Sequence, residues 1–440
     1  MFRLMIVFGL MATLAPAVFS QENADGVEPS GRVVDFAVLR TEVIAIDASY
    51  SDGAREAALT LISEFEVQVQ SMSDAEFGLA VAQVSALSDN GHSQILAPMM
   101  AAGMAILPVR FLLADNQLYV VATAPDLDAL RNREVATICG QNLTELRALW
   151  NRYATGRQGY QDQSLYYFIE TPALLEAAGV CTPGYVELEF VDGERVALEA
   201  RSDVFPPAEG IWQFLPNARA LSLVQQASIS DSPLYLQDPE AVFRLVELSE
   251  QDAVYIQFRS NIDFSGQIDL REVADAAIGT LREIGPSVVI VDQRFNLGGD
   301  LNTTRDLMEA IPEIVGDSGS VFVITSGRTF SAGISSVGYL KQAGSDRVTI
   351  VGEPVGDNLE FWAEGDPVRL PSSGLMVMRA NERHNYMTGC QEDDCHRSIR
   401  IFPIRVESLE PDLAPAFTYA DILEGRDPWL EAIYAVLDEE

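Results

Sequence analysis

Two hydrophobic patterns alternate through the C-terminal half of the chain. Residues 287–291 are nearly all apolar, which is typical of a strand buried on both faces of a sheet. Ahead of them, apolar residues recur at helical spacing behind a capping pair, Asp269 and Glu272, and the pattern stops at Gly285. Further helices are predicted at 303–314 and 331–342, and further strands at 253–258, 321–325 and 348–352. This order predicts an α/β fold with a β-α-β-α-β core and a mostly parallel sheet.

The N-terminal part of the chain has helical signals. Residues 35–87 include a capping box, Ser73-x-x-Glu76, ahead of an apolar run. A cluster of turn-forming residues at 88–93 ends this pattern. We therefore predict a small helical unit before the rest of the fold.

The middle of the chain changes to short strands. One strand is predicted at 117–122, and a strand, a tight turn at Gly140 and a helix are predicted across 133–146. Two further strands, 185–190 and 195–200, are separated by an Asp-Gly pair that is typical of a hairpin. The sequence predicts a β-rich insert between the helical unit and the core.

The first twenty residues have the pattern of a secretory signal. Arg3 precedes an apolar run over residues 4–19, with cleavage expected after Ser20. An uncleaved N-terminal anchor is the alternative. No later segment reaches the length of a membrane span. We expect an exported, periplasmic or extracellular protein with no membrane span in the mature chain. The predicted units are a signal peptide at 1–20, a helical unit at 21–93, the insert at 94–205 and the core at 206–440.

Charge and cysteine content limit the possible partners. The formal net charge of −36 over 440 residues opposes binding to nucleic acid. The four cysteines allow three disulfide pairings, and export favours oxidation. Pairing of neighbours, Cys139 with Cys181 and Cys390 with Cys395, is our prediction. A metal site that uses Cys390, Cys395 and His396, with His384 nearby, is the alternative, but their spacing matches no strong zinc pattern, so no metal is predicted.

Two turns at the predicted carboxyl ends of strands carry the candidate chemistry. The first contains Gly298 and Gly299, whose backbone N–H groups are not shielded by a side chain and could stabilise an oxyanion. The second presents Ser331 at the start of a helix, where the helix dipole favours negative charge. An ordinary tight turn and an ordinary helix N-cap are the alternatives for these two features.

Together the two turns resemble the core of the tail-specific and tricorn-core serine peptidases. The shared pattern is Asp292-x-Arg294-x-Asn296-x-Gly-Gly, followed one β-α unit later by a Ser-Ala pair. The resemblance implies that Ser331 is the nucleophile and that the N–H groups of Gly299 and Ala332 form the oxyanion hole. It also implies a peptide substrate and no cofactor. In this family the insert often contains a PDZ domain, which residues 133–146 resemble; a plain insertion is the alternative.

The general base distinguishes two branches of that family. The tail-specific branch takes a lysine from a segment that here reads Val-Gly-Glu-Pro-Val-Gly-Asp-Asn at 351–358, without a lysine. Lys341 lies ten residues into the helix that begins at Ser331, about 15 Å along the axis at 1.5 Å per residue, which is too far. The tricorn-like branch uses histidine in a loop like Asp-Gly-His-Thr, which residues 89–93 resemble. That resemblance implies His92 as the base, since histidine titrates near neutral pH.

Two supporting residues complete the resemblance to the exported, tricorn-like branch. Ser93 matches the hydroxyl residue beside the histidine, and Glu382, which follows a strand predicted at 376–380, is a candidate for the acid that orients it. An ordinary surface glutamate is the alternative for Glu382. The prediction is an exported serine peptidase that forms an acyl-enzyme on Ser331. The main alternative is an inactive protein of peptidase fold that binds peptides, and an esterase or amidase would use the same groups.

Overall fold

The structure is a computed structural model that describes residues 29–202, 224–225, 232–263 and 265–439. The predicted signal peptide and the predicted boundary between insert and core at 205–206 lie outside the described residues. No helix among the described residues is long and apolar enough to cross a membrane.

The N-terminal helices form as the sequence predicts. They are α1 (Pro29–Val38, continued by a π-helical turn at Leu39–Ile44), α2 (Asp52–Gln68), α3 (Asp74–Ala86) and the short α4 (Ala97–Met100). The predicted capping box is present at the start of α3, where Ser73 and Glu76 each accept a hydrogen bond from the other's backbone N–H. The segment 88–93 leads directly out of α3 and places His92.

An antiparallel sheet follows, and helices interrupt it. Its strands are β1 (Val109–Ala114), β2 (Gln117–Thr123), β3 (Glu134–Ile138), β4 (Val186–Phe190), β5 (Arg195–Leu198) and β6 (Val224–Gln225), which pairs with β2. The predicted turn at Gly140, which has a φ of +79°, and the predicted hairpin between β4 and β5 are both confirmed. The helix predicted after Gly140 is α5 (Leu143–Trp150). The prediction of a β-rich segment omitted the further helices α6 (Gln158–Ile169) and α7 (Pro172–Ala177).

The C-terminal sheet confirms the predicted parallel core. Its strands are β7 (Phe243–Leu248), β8 (Ala253–Phe258), β9 (Val288–Asp292), β10 (Ser320–Thr325) and β11 (Val348–Gly352), in the order β11-β10-β9-β8-β7. Strands β8 to β11 run parallel, and β7 is antiparallel at one edge. The connecting helices are α8 (Leu270–Ile284), α9 (Arg305–Val315) and α10 (Ala332–Gly344). Every residue of β9 is buried, as its apolar sequence predicts.

Each sheet belongs to a separate hydrophobic core. The N-terminal helices and the antiparallel sheet share one core, and α8 to α10 pack with one face of the parallel sheet in a second. The other face of the parallel sheet is covered by α13 (Pro428–Glu439), which contributes Trp429 and Ile433. Burial on both faces leaves the loops at the carboxyl ends of the strands as the place for a site.

Smaller elements complete the fold beyond β11. Strand β12 (Glu360–Glu364) pairs with β15 (Ala380–Asn385), and β13 (Val368–Arg369) pairs with β14 (Met376–Val377). The single strand predicted at 376–380 is thus divided between β14 and β15. The helices α11 (Arg397–Ile401) and α12 (Tyr419–Glu424) lie between β15 and α13. Both predicted disulfides are confirmed, with Cα–Cα distances of 5.4 and 5.7 Å for Cys139–Cys181 and Cys390–Cys395, which excludes their cysteines as metal ligands.

Candidate active site

Three neighbouring parallel strands each deliver one loop to the same edge of the sheet. The loop after β9 contains Gly298 and Gly299, and the loop after β10 contains Ser331. The loop after β11 contains Asp357. Hydrogen bonds join the three loops, since Phe330 N donates to Asn296 O (3.0 Å) and Gly356 N donates to Thr329 O (2.9 Å).

Ser331 has a backbone conformation that is unfavourable for a residue with a side chain. Its φ of 52° and ψ of −125° lie outside the regions open to most L-residues, and its side chain makes no capping hydrogen bond to α10. The N-cap alternative is therefore wrong. In α/β-hydrolases a sharp, strained turn from strand to helix presents the nucleophilic serine. Ser345, at the far end of α10, has nearly the same backbone angles. Ser331 differs from Ser345 in its contacts with the neighbouring glycine turn.

The turn that contains Gly298 and Gly299 packs closely against Ser331. A Cβ on Gly298, whose φ is +104°, would lie 2.6 Å from Ser331 Cβ and 2.8 Å from Ala332 N, so only glycine fits. The N–H of Gly298 donates to Asn296 Oδ1 (2.9 Å) and is already used. No acceptor is found among the described residues for the N–H groups of Gly299 and Ala332. The two donors predicted for the oxyanion hole thus remain free for a ligand.

Two buried asparagines hold the turn against the start of α10. Asn296 Nδ2 donates to Asn261 Oδ1 (2.7 Å), and Asn261 Nδ2 donates to Ala332 O (3.2 Å). Gly333 allows this contact, because a Cβ there would lie 2.6 Å from Asn296 O. The asparagine of the sequence motif therefore fixes the position of the loops and does not face solvent.

The aspartate and arginine of the motif lie beneath the loops. Arg294 is buried, and its guanidinium bonds Asp292 (2.9 Å) and Asp427 (2.8 Å) and lies over the rings of Tyr235 and Trp429. Burial disfavours the charged guanidinium, but the two carboxylates outweigh that effect and raise the pKa of Arg294. These residues link the end of β9 to the start of α13.

His92 reaches the site from the N-terminal helices. Its loop is held by Asn90, which accepts a hydrogen bond from Trp362 N (2.9 Å) and donates one to Trp362 O (3.0 Å). The imidazole lies between the rings of Phe330 and Phe361, with centroid distances of 4.4 and 4.9 Å. Phe330 precedes Ser331, so His92 contacts the loop that presents Ser331. No hydrogen bond joins the side chains of His92 and Ser331.

Asp357 is the carboxylate beside His92, and sequence reasoning did not single it out. Its Oδ2 lies 3.5 Å from His92 Nδ1, and its side chain is only 3% exposed. Its Oδ1 accepts a hydrogen bond from Asn358 N (2.9 Å). Gly91 permits the approach, because a Cβ there would lie 2.5 Å from Asp357 Oδ2. Its signal in the sequence is a carboxylate in the segment 351–358, where the tail-specific branch has its lysine.

The remaining predicted residues have other partners. Ser93 is buried, and its hydroxyl accepts from Asn90 Nδ2 (2.9 Å) and lies 3.1 Å from Ser49 Oγ, so it stabilises the loop. Glu382 lies 3.7 Å from His396 Nε2, and the carboxylate beside His92 is Asp357 instead. Lys341, the single lysine of the chain, donates to Val348 O (2.7 Å) at the other end of α10. No lysine is therefore available as the base.

Solved structures share this arrangement of elements. Mature CPAF matches with a TM-score of 0.56 at 13% identity, over 93% of this chain and 96% of that chain. Mature CPAF complexed with lactacystin matches with a TM-score of 0.54 at 13% identity, over 93% and 98%. The chain has the fold of the tail-specific peptidases. The photosystem II D1 C-terminal processing protease has a TM-score of 0.38 at 12% identity, over 93% and 97%. No family model and no curated protein matches the sequence.

This fold confirms the resemblance to tail-specific peptidases that the two sequence turns predict. At 13% identity the likeness extends to the fold alone. The roles of Ser331, His92 and Asp357 must therefore be argued from their own geometry.

Proposed function

We propose that the protein is an exported serine-type peptidase with Ser331 as nucleophile, His92 as general base and Asp357 as the acid that orients His92. The observation that carries this proposal is the position of His92, held against Phe330 on one side and facing Asp357 through Nδ1. Serine needs an adjacent base to become nucleophilic, and a base needs a third group that fixes its ring. The three residues supply these parts in order.

The chemistry follows from the atoms that face each other. Because Nδ1 faces Asp357, Nε2 is the nitrogen available to take the proton from Ser331 Oγ. Attack on a peptide carbonyl would form a tetrahedral intermediate whose oxyanion accepts hydrogen bonds from Gly299 and Ala332. Proton return to the amine would release the first product. Water, activated by the same histidine, would then hydrolyse the acyl-enzyme.

Compartment and substrate belong to the same proposal. Two disulfides suit an oxidising environment outside the cytosol, which agrees with the expected signal peptide. The net charge of −36 opposes nucleic acid as a partner and leaves peptides as the substrate class that the fold favours.

A Ser331→Ala variant tests the nucleophile. We expect loss of peptide hydrolysis and loss of covalent labelling by a fluorophosphonate probe, because no other atom takes the role of Oγ. Ser345→Ala is a matched control, since Ser345 has nearly the same backbone angles at the other end of α10. The control should retain activity and labelling. Hydrolysis by Ser331→Ala at the wild-type rate would refute the assignment.

One observation favours a peptide-binding protein without catalysis as the second candidate. In this conformation no hydrogen bond joins His92 to either Asp357 or Ser331. Catalytic hydrogen bonds often tighten only when substrate binds, so the enzyme remains our proposal. Peptide binding without any labelling of folded wild-type protein at neutral pH would support the second candidate.

A further inference from the structure

A cluster of metal-ligand side chains lies behind the catalytic histidine, between β12 and β15. Glu364, His384 and His396 each present one ligand atom, and these atoms lie within 4.8 Å of one another. His384 stacks on Phe361, the ring that also contacts His92, at a centroid distance of 4.8 Å. The cluster is therefore separate from the proposed catalytic residues by one aromatic ring.

A bulge in the β12–β15 pair helps to bring the three side chains together. The register of β12 and β15 shifts between Ala363 and Glu364, and Glu364 has a φ of +61°. A bulge of this kind redirects a side chain that would otherwise follow the strand alternation. Positive φ in a residue other than glycine is strained and is concentrated at functional sites. The backbone here is arranged to bring the Glu364 carboxylate to His384.

The second disulfide positions the other histidine. The loop closed by Cys390 and Cys395 returns the chain to β15, where His396 N donates to Arg383 O (2.9 Å). As a result the rings of His384 and His396 stack at 5.1 Å. The disulfide thus restrains the backbone beside His396, and rotation about the side-chain bonds of His396 would turn its ring from the stacked position toward an ion.

The neighbours of His384 would suit a metal ligand. Its side chain is 3% exposed, and Nδ1 lies 3.2 Å from Tyr386 Oη, which lies 2.6 Å from Ser335 Oγ. If Nδ1 carries the proton and donates it to Tyr386, Nε2 has a free lone pair. That atom is buried without a hydrogen bond and lies 3.5 Å from Glu364 Oε1. Metal-bound histidines are usually oriented by such a hydrogen bond from the other nitrogen.

We propose that Glu364, His384 and His396 bind a divalent transition-metal ion of the Zn²⁺ class. Two imidazoles and a carboxylate are a common donor set for Zn²⁺. Ligand atoms in a tetrahedral zinc site lie roughly 3.3 Å apart, given bonds of about 2.0–2.1 Å. The Nε2–Oε1 distance of 3.5 Å already approaches this value.

The surroundings of the cluster suit a cation. Glu364 is exposed, so an ion can enter from solvent, and Glu382 lies 3.7 Å from His396 Nε2, where it would orient that ring. The neighbouring Arg383 is engaged by Glu360 and Asp394. A bound ion would join the β12–β15 pair to the disulfide loop. The proposal does not depend on the peptidase assignment.

Zinc binding to the full-length, disulfide-intact protein tests this site. The purification tag must lack histidine, because the chain itself has only three histidines. Equilibrium dialysis of wild-type protein against Zn²⁺ should give one ion per chain. His396→Gln and Glu364→Gln should each weaken binding at least about tenfold, since each removes a direct ligand. Both residues are partly exposed, so neither change should prevent folding.

Glu360→Gln is the matched control, because Glu360 is an exposed carboxylate on the same strand that pairs with Arg383. It should bind Zn²⁺ like the wild type. Thermal unfolding gives a second readout: Zn²⁺ should raise the midpoint of the wild type and of Glu360→Gln, but not of His396→Gln. The proposal is wrong if wild type and His396→Gln bind Zn²⁺ equally, or if Glu360→Gln weakens binding as strongly as Glu364→Gln.

Discussion

Single residues around His92 have unused hydrogen-bonding capacity. Both nitrogens of His92 and Oδ2 of Asp357 are buried, and within the described residues none of these atoms has a hydrogen bond. An unsatisfied buried polar atom costs about 1–3 kcal/mol, so folded proteins keep few of them. Three such atoms at one place, near the strained Ser331, agree with the catalytic roles proposed for His92 and Asp357.

The role of Asp357 can be separated from that of a structural acid. Asp357→Asn keeps the size of the side chain but removes the charge that would stabilise a protonated His92. We expect kcat to fall roughly 10³-fold or more, with little change in KM, as for the acid of other serine triads. Steady-state kinetics on a peptide substrate would measure both constants. Asp366→Asn, an exposed aspartate beyond β12, is the control and should leave kcat unchanged. An equal fall in the two variants would contradict the orienting role.

Sequence reasoning proposed Ser331 as the nucleophile and His92 as the base, but it did not identify the carboxylate beside His92. Ser331 and the glycine turn could be predicted because their chemistry lies in contiguous motifs. Asp357 and His92 come from loops far apart in the chain, and only packing brings them together. Glu382 was placed in that role because it follows a predicted strand, but the real strand β15 directs it to His396.

At the scale of elements, the sequence predicted helices that bury one face and short strands that are buried on both faces. The amphipathic α8 and the apolar β9 were both recognised. Helix α6 was missed because residues 165–169 are buried on every side and leave no helical periodicity. Near Gly327, α6 contacts the loop that presents Ser331, so the missed helix is part of the support of the site.

The junction of β9 with α13 depends on one buried cation. Arg294→Met would leave Asp292 and Asp427 buried without their guanidinium partner. Removing one partner of a buried ion pair costs about 3–5 kcal/mol, and we expect the free energy of unfolding at pH 7 to fall by that amount. Urea denaturation would measure it. The exposed Arg282→Met is the control and should change stability by less than about 0.5 kcal/mol.

The same junction gives a pH test with a definite sign. Burial raises the pKa of Asp427, and without Arg294 the main effect that opposes burial is the hydrogen bond from Leu430 N. The folded state then binds the proton more tightly than the unfolded state, so the stability of Arg294→Met should rise as the pH falls below 7. Adding Asp427→Asn should restore part of the loss at pH 7. Unchanged stability in Arg294→Met would show that the ion pair contributes nothing to the fold.

At the scale of the whole molecule, the site lies between two cores. His92 belongs to the N-terminal helices, whereas Ser331 and Asp357 belong to loops of the parallel sheet. Activity therefore requires both parts to be folded and packed. Each part contains one disulfide, since Cys139–Cys181 ties the insert and Cys390–Cys395 ties the segment after β15.

Loop length predicts that the two disulfides contribute unequally to stability. Cross-linking restricts the unfolded chain more when the closed loop is longer, and the sequence separations are 42 and 5. Chain entropy gives about 4 kcal/mol for the first and about 2 kcal/mol for the second. We expect Cys139→Ser/Cys181→Ser to lower the free energy of unfolding more than Cys390→Ser/Cys395→Ser, as measured by urea denaturation.

The two double variants should rank in the opposite order when Zn²⁺ affinity is measured instead of stability. This comparison tests the proposed zinc site. Loss of the short loop frees His396, the residue after Cys395, whereas loss of the long loop leaves the cluster intact. Cys390→Ser/Cys395→Ser should therefore bind Zn²⁺ more weakly than the wild type, and Cys139→Ser/Cys181→Ser should bind it equally. If the long-loop variant also loses Zn²⁺ affinity while it remains folded, the short disulfide does not position His396 in the way the structure indicates.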